Sequence, residues 1–481
     1  MKKYFLEVIV FISGAVVMIL ELSGSRIMAP YLGNSLPVWT AIIGVILGSL
    51  SLGYFLGGRM ADRKADLLIL AKLLFVAGLF IGVLAFVDEI VLVLIRLLTD
   101  NLRINILISS IILLAPSSVV LGMISPYAIR LHIKNVETSG SAVGTLYALS
   151  TLGSIAGTFL AGFFLISYFG TFKIIIFLAL TMFLVSFLSD SKKYLPVRIS
   201  LILFLCLILG GFFNPKISDN KNGFIDIDTD YSRVWIVDDH EVSSGQLTRS
   251  LIVNGEYDSS VFLSNDDLVY EYTKRYRLVK YFRPDTAHAL MIGGGAYTYP
   301  KDYLKMFPEA MIDVVEIDPK ITDIAGKYFN FKEYPRMTIF HDDGRIFLNN
   351  TDEQYDVIFL DAYKSFSVPF HLTTKEAVNK MHQNLDERGI VLANIISSVT
   401  GDTGKFLRAE YATFKSEFPY VYIFLTKSDE SEVQNIILVA AKSVSTSGFQ
   451  SQDKELQSYL DNLWDGPITG YADSNGRFCS R

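Results

Sequence analysis

Apolar stretches long enough to cross a lipid bilayer dominate the first half of this 481-residue chain. A helix needs roughly 20 apolar residues to span the hydrocarbon core of a membrane. Residues 1–213 are rich in Leu, Ile, Val, Phe, Gly and Ala, whereas the rest has the composition of a soluble protein. The sequence therefore predicts an α-helical transmembrane bundle in a multi-pass protein of the cell membrane. By this length there are about seven candidate spans. They lie near residues 5–29, 37–58, 67–87, 104–128, 142–168, 171–189 and 197–213.

Small residues recur at helical spacing in two of these spans. They are Gly44, Gly48 and Gly53 in the second span, and Gly153 and Gly157 in the fifth. Because glycine has no side chain, two helices can approach closely at such positions. We therefore expect close helix–helix contacts there.

Two charged residues, Glu21 and Arg26, lie in or near the end of the first span. A charge at that depth is costly and usually faces protein or water rather than lipid. The pair is compatible with a substrate or ion path, and equally with an ion pair or a capping role inside the bundle.

Basic residues fall on one side of the membrane if the spans alternate in direction, and the positive-inside rule makes that side the cytoplasm. If residues 197–213 cross, the second half of the chain then emerges on the opposite side, away from cytosolic nucleotides. That segment is short for a span and is also compatible with a re-entrant or interfacial position. The sequence leaves the side open. The basic residues are Lys2, Lys3, Arg59, Arg63, Lys64, Arg130, Lys134, Lys192, Lys193 and Arg198.

The second half of the chain is organised around residues 290–319. An apolar strand at residues 290–292 stops at a run of three glycines, where the backbone can turn tightly and a ligand can come close. The next apolar strand, residues 313–317, contains Glu316. Its spacing in sequence from the glycines is the one at which an acid of a βαβ unit accepts hydrogen bonds from ribose hydroxyls. This pattern predicts a nucleotide-binding βαβ unit. The glycines are Gly293, Gly294 and Gly295.

Helix and strand patterns alternate from there to residue 441, which predicts a Rossmann-like parallel sheet covered by helices on both faces. The last two strands suggest an antiparallel hairpin, and the Asn254-Gly255 pair indicates another hairpin before the sheet. The predicted order is a transmembrane helical domain at 1–213, a linker at 214–223, a small antiparallel β unit at 224–265, a nucleotide-binding α/β domain at 266–465 and a tail at 466–481.

Acidic residues follow two further strands of the predicted sheet. Asp342 and Asp343 follow the strand at residues 337–340, and Asp343 could contact an adenine amino group or cap the next helix. Asp361 stands where the reacting centre is expected. It could orient or deprotonate an amine, neutralise a sulfonium charge, or only cap the following loop.

The loop at residues 362–374 is long and aromatic, which favours a lid or an acceptor pocket. Tyr363 and His371 are its candidate substrate-binding residues, and His371 is either a base or structural. The net charge of −6 gives no indication of nucleic-acid binding. The two cysteines, Cys206 and Cys479, form neither a disulfide framework nor a metal site, so no metal is expected.

The segments MIGGGAYTYP, VVEIDP, HDDGRIFL and YDVIFLDAY resemble the spermidine synthase family of aminopropyltransferases, over roughly residues 226–443. With LELSGSRIMAPYLGNSLPVWTAIIG, GYFLGGRMADR and PFHLTTKE, the chain is similar to the membrane-fused subgroup of spermidine-synthase-like proteins. The resemblance implies a fold of the class I methyltransferase and spermidine synthase type, and it suggests a homodimer. It also implies transfer of an aminopropyl group from decarboxylated S-adenosylmethionine to putrescine.

The same resemblance assigns roles to the candidate residues. The three glycines would hold the methionine-like part of the donor, Glu316 the ribose, and Asp343 with Asp342 the adenine. Asp361 would help deprotonate the attacking amine, and Tyr270 would help bind the acceptor.

This sequence departs from the family at positions that bind a dicationic diamine. The acid after the glycines is replaced by Ala296, and the second acid of the loop by Lys364. Repulsion from a cation in a half-buried site amounts to a few kcal/mol, on the order of what is needed to abolish a preference for putrescine. The family's Tyr-His-Glu segment corresponds only loosely to Tyr270-Glu271-Tyr272.

We therefore expect a membrane-bound aminopropyltransferase-like enzyme that takes decarboxylated or intact S-adenosylmethionine as co-substrate and an amine such as putrescine as acceptor. One alternative is an S-adenosylmethionine-dependent methyltransferase acting on a membrane-associated acceptor. Another is a non-catalytic, nucleoside-sensing protein that resembles a transporter.

Overall fold

The structure of the chain is a computed structural model. It describes residues 4–33, 35–99, 101–133, 139–189, 199, 202, 224–363, 368–443, 448–466 and 468. By compactness the chain divides into two units. The first comprises Met1–Trp235 with Val253–Gly255, and the second comprises Ile236–Ile252 with Glu256–Arg481.

The first unit contains a bundle of long apolar helices. Among the described residues, 6 helices are long and apolar enough to cross a membrane, if α5 is taken together with the π-helical turn Ala161–Leu165 that continues it. The first six predicted spans coincide with these helices, and the seventh, residues 197–213, lies almost wholly outside the described residues. The helices are α1 (Phe5–Leu32), α2 (Leu36–Arg63), α3 (Leu67–Leu98), α4 (Leu102–His132), α5 (Ser139–Leu160), the short α6 (Ile166–Phe169) and α7 (Thr171–Ser189).

Glycines bring several of these helices into backbone contact, as the sequence predicts. A side chain at Gly53 would overlap the Val119 carbonyl oxygen of α4, and one at Gly153 would overlap that of Phe11 in α1. At Gly157 an added Cβ would lie 2.5 Å from the Ala15 carbonyl oxygen. The prediction was wrong for Gly44 and Gly48, since a Cβ on either would meet nothing within 4 Å. Spacing alone does not reveal which face of a helix meets a neighbour.

The basic residues Arg63 and Lys64 and the acidic residue Asp228 lie at opposite ends of the bundle. Arg63 and Lys64 stand between α2 and α3, and α7 runs antiparallel to α3, with the Ser186 hydroxyl donating to the Ala71 carbonyl oxygen at 2.6 Å. The start of α7 is therefore at the other end, where the Thr171 N–H donates to the Asp228 carboxylate at 2.6 Å. The strand that contains Asp228 thus contacts the end of the bundle remote from these basic residues.

Arg26 lies at this same remote end. Its guanidinium donates to the Asp230 carbonyl oxygen. This contact joins the first helix to the turn after the strand that contains Asp228, while Glu21 lies half-buried on the same helix; a substrate or ion path along these two residues stays a prediction.

A small four-stranded sheet follows, in the order β1-β2-β3-β4. The predicted Asn254-Gly255 hairpin is confirmed, because both residues adopt the left-handed conformation of a tight turn, with φ of 52° and 81°. Glycine is required at the second position, since a Cβ there would overlap the Pro30 carbonyl oxygen. The strands are β1 (Phe224–Asp228), β2 (Arg233–His240), β3 (Leu247–Val253) and β4 (Glu256–Phe262).

The second unit is built on a seven-stranded sheet in the order β10-β11-β9-β8-β5-β6-β7. The strands from β5 to β9 pair in parallel, and β11 runs antiparallel to both β9 and β10, so the predicted terminal hairpin is confirmed. This is the Rossmann-like fold that the alternation of apolar runs predicts. The strands are β5 (His288–Ile292), β6 (Met311–Val315), β7 (Met337–Phe340), β8 (Tyr355–Leu360), β9 (Leu385–Ser397), β10 (Tyr420–Leu425) and β11 (Gln434–Ala441).

Two apolar layers cover the faces of this sheet. One layer is rich in aromatic side chains, including Tyr276, Tyr299 and Phe359, and the other is mostly aliphatic. The connecting helices are α8 (Glu271–Arg275), α9 (Val279–Phe282), α10 (Thr298–Met306), α11 (Pro319–Tyr328), α12 (Gly344–Asn350), α13 (Lys375–Gln383), α14 (Lys405–Glu417) and α15 (Lys454–Leu460).

Two adjacent glycines of α2 provide a test of the bundle packing. A Cβ at Gly57 would lie 2.6 Å from the Met123 Cα atom and carbonyl oxygen, whereas a Cβ at Gly58 would meet nothing within 4 Å. We expect Gly57→Ala to cost about 1–3 kcal/mol of stability, because the two backbones must separate. Gly58→Ala should be neutral or slightly stabilising, since alanine favours helix. Thermal unfolding in detergent measures both, and equal melting temperatures for the two variants would contradict the packing.

Candidate active site

The carboxyl ends of four neighbouring strands form one edge of the large sheet. In the sheet register Ile292 at the end of β5 lies opposite Val315 of β6 and Leu360 of β8, and Val315 lies opposite Phe340 of β7. The residues that follow these strands are therefore neighbours. They are Gly293, Gly294, Gly295, Glu316, Asp342, Asp343 and Asp361, which is the grouping that the sequence predicts.

The glycine turn after β5 depends on the absence of side chains. Gly293 and Gly295 have φ of 99° and 51°, which side chains rarely tolerate. A Cβ at Gly293 would also overlap the Asp361 carbonyl oxygen. The turn thus lies directly against the end of β8.

Glu316 connects the end of β6 to this turn. Its Oε2 atom accepts hydrogen bonds from the N–H groups of Gly294 at 2.9 Å and Gly295 at 3.3 Å. Its Oε1 atom accepts from the Asp318 N–H at 3.0 Å. The carboxylate is buried and holds the turn in place.

Asp343 caps the helix that follows β7, one of the two roles that the sequence leaves open. Its Oδ1 atom accepts from the N–H groups of Arg345 at 2.8 Å and Ile346 at 3.1 Å. Its Oδ2 atom lies 3.2 Å from His371 Nε2, so the far end of the loop reaches this residue. The Asp342 carboxylate accepts from the Asp343 N–H at 2.7 Å. Adenine contact by this pair stays a prediction.

Tyr363 points into the core beneath the loop. It is 4% exposed, and its hydroxyl oxygen lies 3.2 Å from the Leu372 carbonyl oxygen and 3.3 Å from Glu410 Oε2, two acceptors within reach of its single hydrogen. Burial raises the pKa of Glu410 to about 8. The structure therefore places Tyr363 in a contact that fastens the loop to α14, and a role in binding substrate stays a prediction.

Asp361 is held by neutral donors. Its Oδ1 atom accepts from Asn394 Nδ2 at 3.0 Å, and the Asn394 Oδ1 atom accepts in turn from Asn435 Nδ2 at 3.0 Å. Its Oδ2 atom accepts from the Tyr272 hydroxyl at 3.4 Å. Burial raises the pKa of Asp361 to about 6; the hydrogen bond from Asn394 opposes this shift, and the negative charge of Asp258 adds to it. A carboxylate that titrates near neutrality is suited to exchanging protons with a substrate.

Three tyrosines form a wall beside Asp361. The rings of Tyr270 and Tyr272 stack with centroids 6.0 Å apart, and Tyr276 meets Tyr272 edge-on at 6.1 Å. Among the described residues, neither the Tyr270 hydroxyl nor the Tyr276 hydroxyl has a hydrogen-bond partner, although Tyr276 is fully buried. Burial, and after it the charge of Asp361, raises the pKa of Tyr276 well above its ordinary value. These hydroxyls are groups that a bound ligand could satisfy.

Sequence reasoning missed four residues of this site, Asn394, Asn435, Asp258 and Tyr276. Asn394 and Asn435 are polar residues inside apolar strands, a signal that could have identified them. Asp258 gave no such signal, because an acid shortly after a hairpin turn is typical of a solvated surface. In the structure, a Cβ at Gly295 would lie 2.6 Å from the Asp258 carboxylate.

Comparison with known proteins agrees with this arrangement. Residues 276–426 match the spermine/spermidine synthase domain. A polyamine aminopropyltransferase of Vibrio vulnificus is 31% identical over 183 residues, which cover 37% of this chain and 59% of that one. A probable polyamine aminopropyl transferase of Bifidobacterium longum is 27% identical over 190 residues, which cover 36% of this chain and 42% of that one.

A solved structure of a probable spermidine synthase from Corynebacterium glutamicum aligns with a TM-score of 0.42 and 22% identity, covering 50% of this chain and 87% of that one. The chain spans less than two thirds of the length of the curated relatives just named. The matching segment contains the glycine turn, Glu316 and Asp361, so the expected resemblance to the spermidine synthase family is confirmed.

The hydrogen bond from Asn394 can be tested through the titration of Asp361. Asn394→Ala removes a donor to the charged carboxylate, so we expect the pKa of Asp361 to rise above about 6, by about one unit. Asn435→Ala, one step further from the carboxylate, should shift it less. Carbon-13 NMR of labelled aspartate measures both, with Asp361→Asn identifying the signal. An unchanged titration in Asn394→Ala would contradict the assignment.

Proposed function

We propose that this protein is a membrane-bound transferase that moves an aminopropyl group from decarboxylated S-adenosylmethionine to an amine. The main support is Asp361, whose carboxylate has a pKa of about 6 and whose backbone carbonyl contacts the glycine turn of a spermidine-synthase-like domain. The relatives named above are polyamine aminopropyltransferases, which supports the reaction class.

In the proposed reaction the acceptor nitrogen attacks the propyl carbon bonded to the donor's sulfonium sulfur. A C–N bond forms as the C–S bond breaks, and the electron pair returns to sulfur, which leaves as a neutral thioether. The nitrogen must be unprotonated to attack, and an amine is mostly protonated at neutral pH. Asp361 takes that proton, with the Tyr272 hydroxyl at its Oδ2 atom orienting the carboxylate.

The remaining predicted residues take the donor and the acceptor. Gly293, Gly294 and Gly295 hold the methionine-like part, and Glu316 accepts from the ribose. The buried Glu316 carboxylate lies at the carboxyl end of β6 and accepts N–H groups of the glycine turn, a position that supports this assignment. Asp342 and Asp343 contact the adenine.

Tyr270 lines the acceptor side, where its unpartnered hydroxyl supports the assignment. Tyr363 and His371 are also assigned to the acceptor side. Tyr363 holds the loop in place through its contact with Leu372, and His371 lies next to Asp343. Because Ala296 and Lys364 replace two acids of the family, we expect the acceptor to be an amine such as putrescine but without a preference for putrescine itself.

The role of Asp361 predicts a definite pH dependence. A general base works only when unprotonated, so activity should fall roughly tenfold per pH unit below the pKa of about 6. Asp361→Asn should lose roughly 10²–10⁴-fold in rate and the acidic limb of the profile. Asp352→Asn, at an exposed loop position, is the matched control and should behave as wild type. Mass spectrometry of the amine product between about pH 5 and 8 measures the profile.

Wild-type activity that does not change across pH 6 would contradict the proposed base, and so would an active Asp361→Asn variant.

The apolar helices support a location in the membrane. The position of Asp228 indicates on which side of the membrane the strand β1 lies. Asp228 contacts the end of the bundle remote from Arg63 and Lys64. By the positive-inside rule those basic residues face the cytoplasm. We infer that β1 lies on the opposite face.

Cysteine labelling tests this placement in sealed, right-side-out vesicles. In a background with Cys206→Ser and Cys479→Ser, we expect Tyr231→Cys to react with a membrane-impermeant maleimide. Lys64→Cys should react only after permeabilisation. Both positions are exposed, so accessibility within the protein is matched. If Lys64→Cys reacted in intact vesicles and Tyr231→Cys did not, the assignment of the two faces would be reversed.

A further inference from the structure

The strand β4 brings a second carboxylate to the glycine turn. A Cβ at Gly295 would lie 2.6 Å from the Asp258 Oδ1 atom and 2.5 Å from the Ser259 hydroxyl, so the turn and this strand are in direct contact. The Ala296 N–H donates to the Ser259 hydroxyl at 3.0 Å, which fixes the strand to the turn. Asp258 is half-buried here, although its position after a hairpin suggests a solvated surface.

Two acidic residues contact the two ends of the same turn, Asp361 through its backbone carbonyl and Asp258 through its carboxylate. Asp361 adjoins Gly293, and Asp258 adjoins Gly295. The Tyr272 hydroxyl is 3.4 Å from the Asp361 Oδ2 atom and 3.2 Å from the Asp258 carbonyl oxygen, so it lies between the two residues. One site therefore contains two acids that adjoin different ends of the turn.

The two possible donors differ by one group. Intact S-adenosylmethionine ends in an ammonium and a carboxylate on the same carbon, whereas the decarboxylated form ends in an ammonium alone. An anionic side chain attracts the ammonium of the decarboxylated form. In the intact form it attracts the ammonium and repels the carboxylate beside it, so the two effects oppose each other. A carboxylate at the place of the methionine-like part therefore discriminates between the donors by charge.

We propose that Asp258 binds the terminal ammonium of the decarboxylated donor and disfavours the intact one. This makes Asp258 the residue that selects the donor, and it rests on the proposed function of the site. Asp361 then acts only as the base that takes the proton from the acceptor amine.

Calorimetry on the full chain in lipid nanodiscs tests the assignment with both donors. We expect wild-type protein to bind decarboxylated S-adenosylmethionine at least tenfold more tightly than the intact form. Asp258→Asn should weaken binding of the decarboxylated donor tenfold or more and leave the intact donor unchanged or tighter. Asp258→Glu keeps the charge and should keep the preference. Asp267→Asn, an exposed acid nearby in the chain, is the control and should match wild type.

The ratio of the two Kd values is the deciding quantity, because it does not depend on the fraction of folded protein. A ratio unchanged in Asp258→Asn, while wild type binds the decarboxylated donor, would overturn the assignment and leave the proposed function intact. Wild-type protein that binds neither donor would overturn both. A ratio that moves toward the intact donor in Asp258→Asn alone supports the assignment.

Discussion

The bond between Glu316 and the glycine turn is the interaction on which the candidate site depends. One buried carboxylate accepts the N–H groups of Gly294, Gly295 and Asp318, and so joins the ends of two neighbouring strands. Asp258 and Asp361 both adjoin this turn, so their separation follows from where it is held. Both acidic residues are therefore positioned relative to the turn that Glu316 holds.

The sequence predicts the sheet well because its signals are local. Each apolar run forms a strand, and each acid or glycine that follows a run lies at the same edge, since parallel strands end together. The three glycines, Glu316 and Asp361 were found this way. The Asn254-Gly255 turn is equally local, because its backbone angles need those residue types.

Contacts between distant parts of the chain could not be predicted in this way. Asp258 reaches the site only because β4 packs on the turn, and Tyr363 is buried only because α14 lies beneath the loop. In the bundle, Gly53 meets α4 while Gly48 meets nothing, although both fit the same helical spacing. Spacing reports which residues share a face of a helix, and only the fold reports what that face meets.

The amide chain behind Asp361 has one further consequence. Asn435 donates to Asn394, and Asn394 donates to the carboxylate, so both amides are oriented in one direction. An amide N–H group does not ionise in this range, and therefore no proton can travel inward along this chain. Proton exchange by Asp361 is therefore expected away from this amide pair, as at its Oδ2 atom, which the Tyr272 hydroxyl approaches to 3.4 Å.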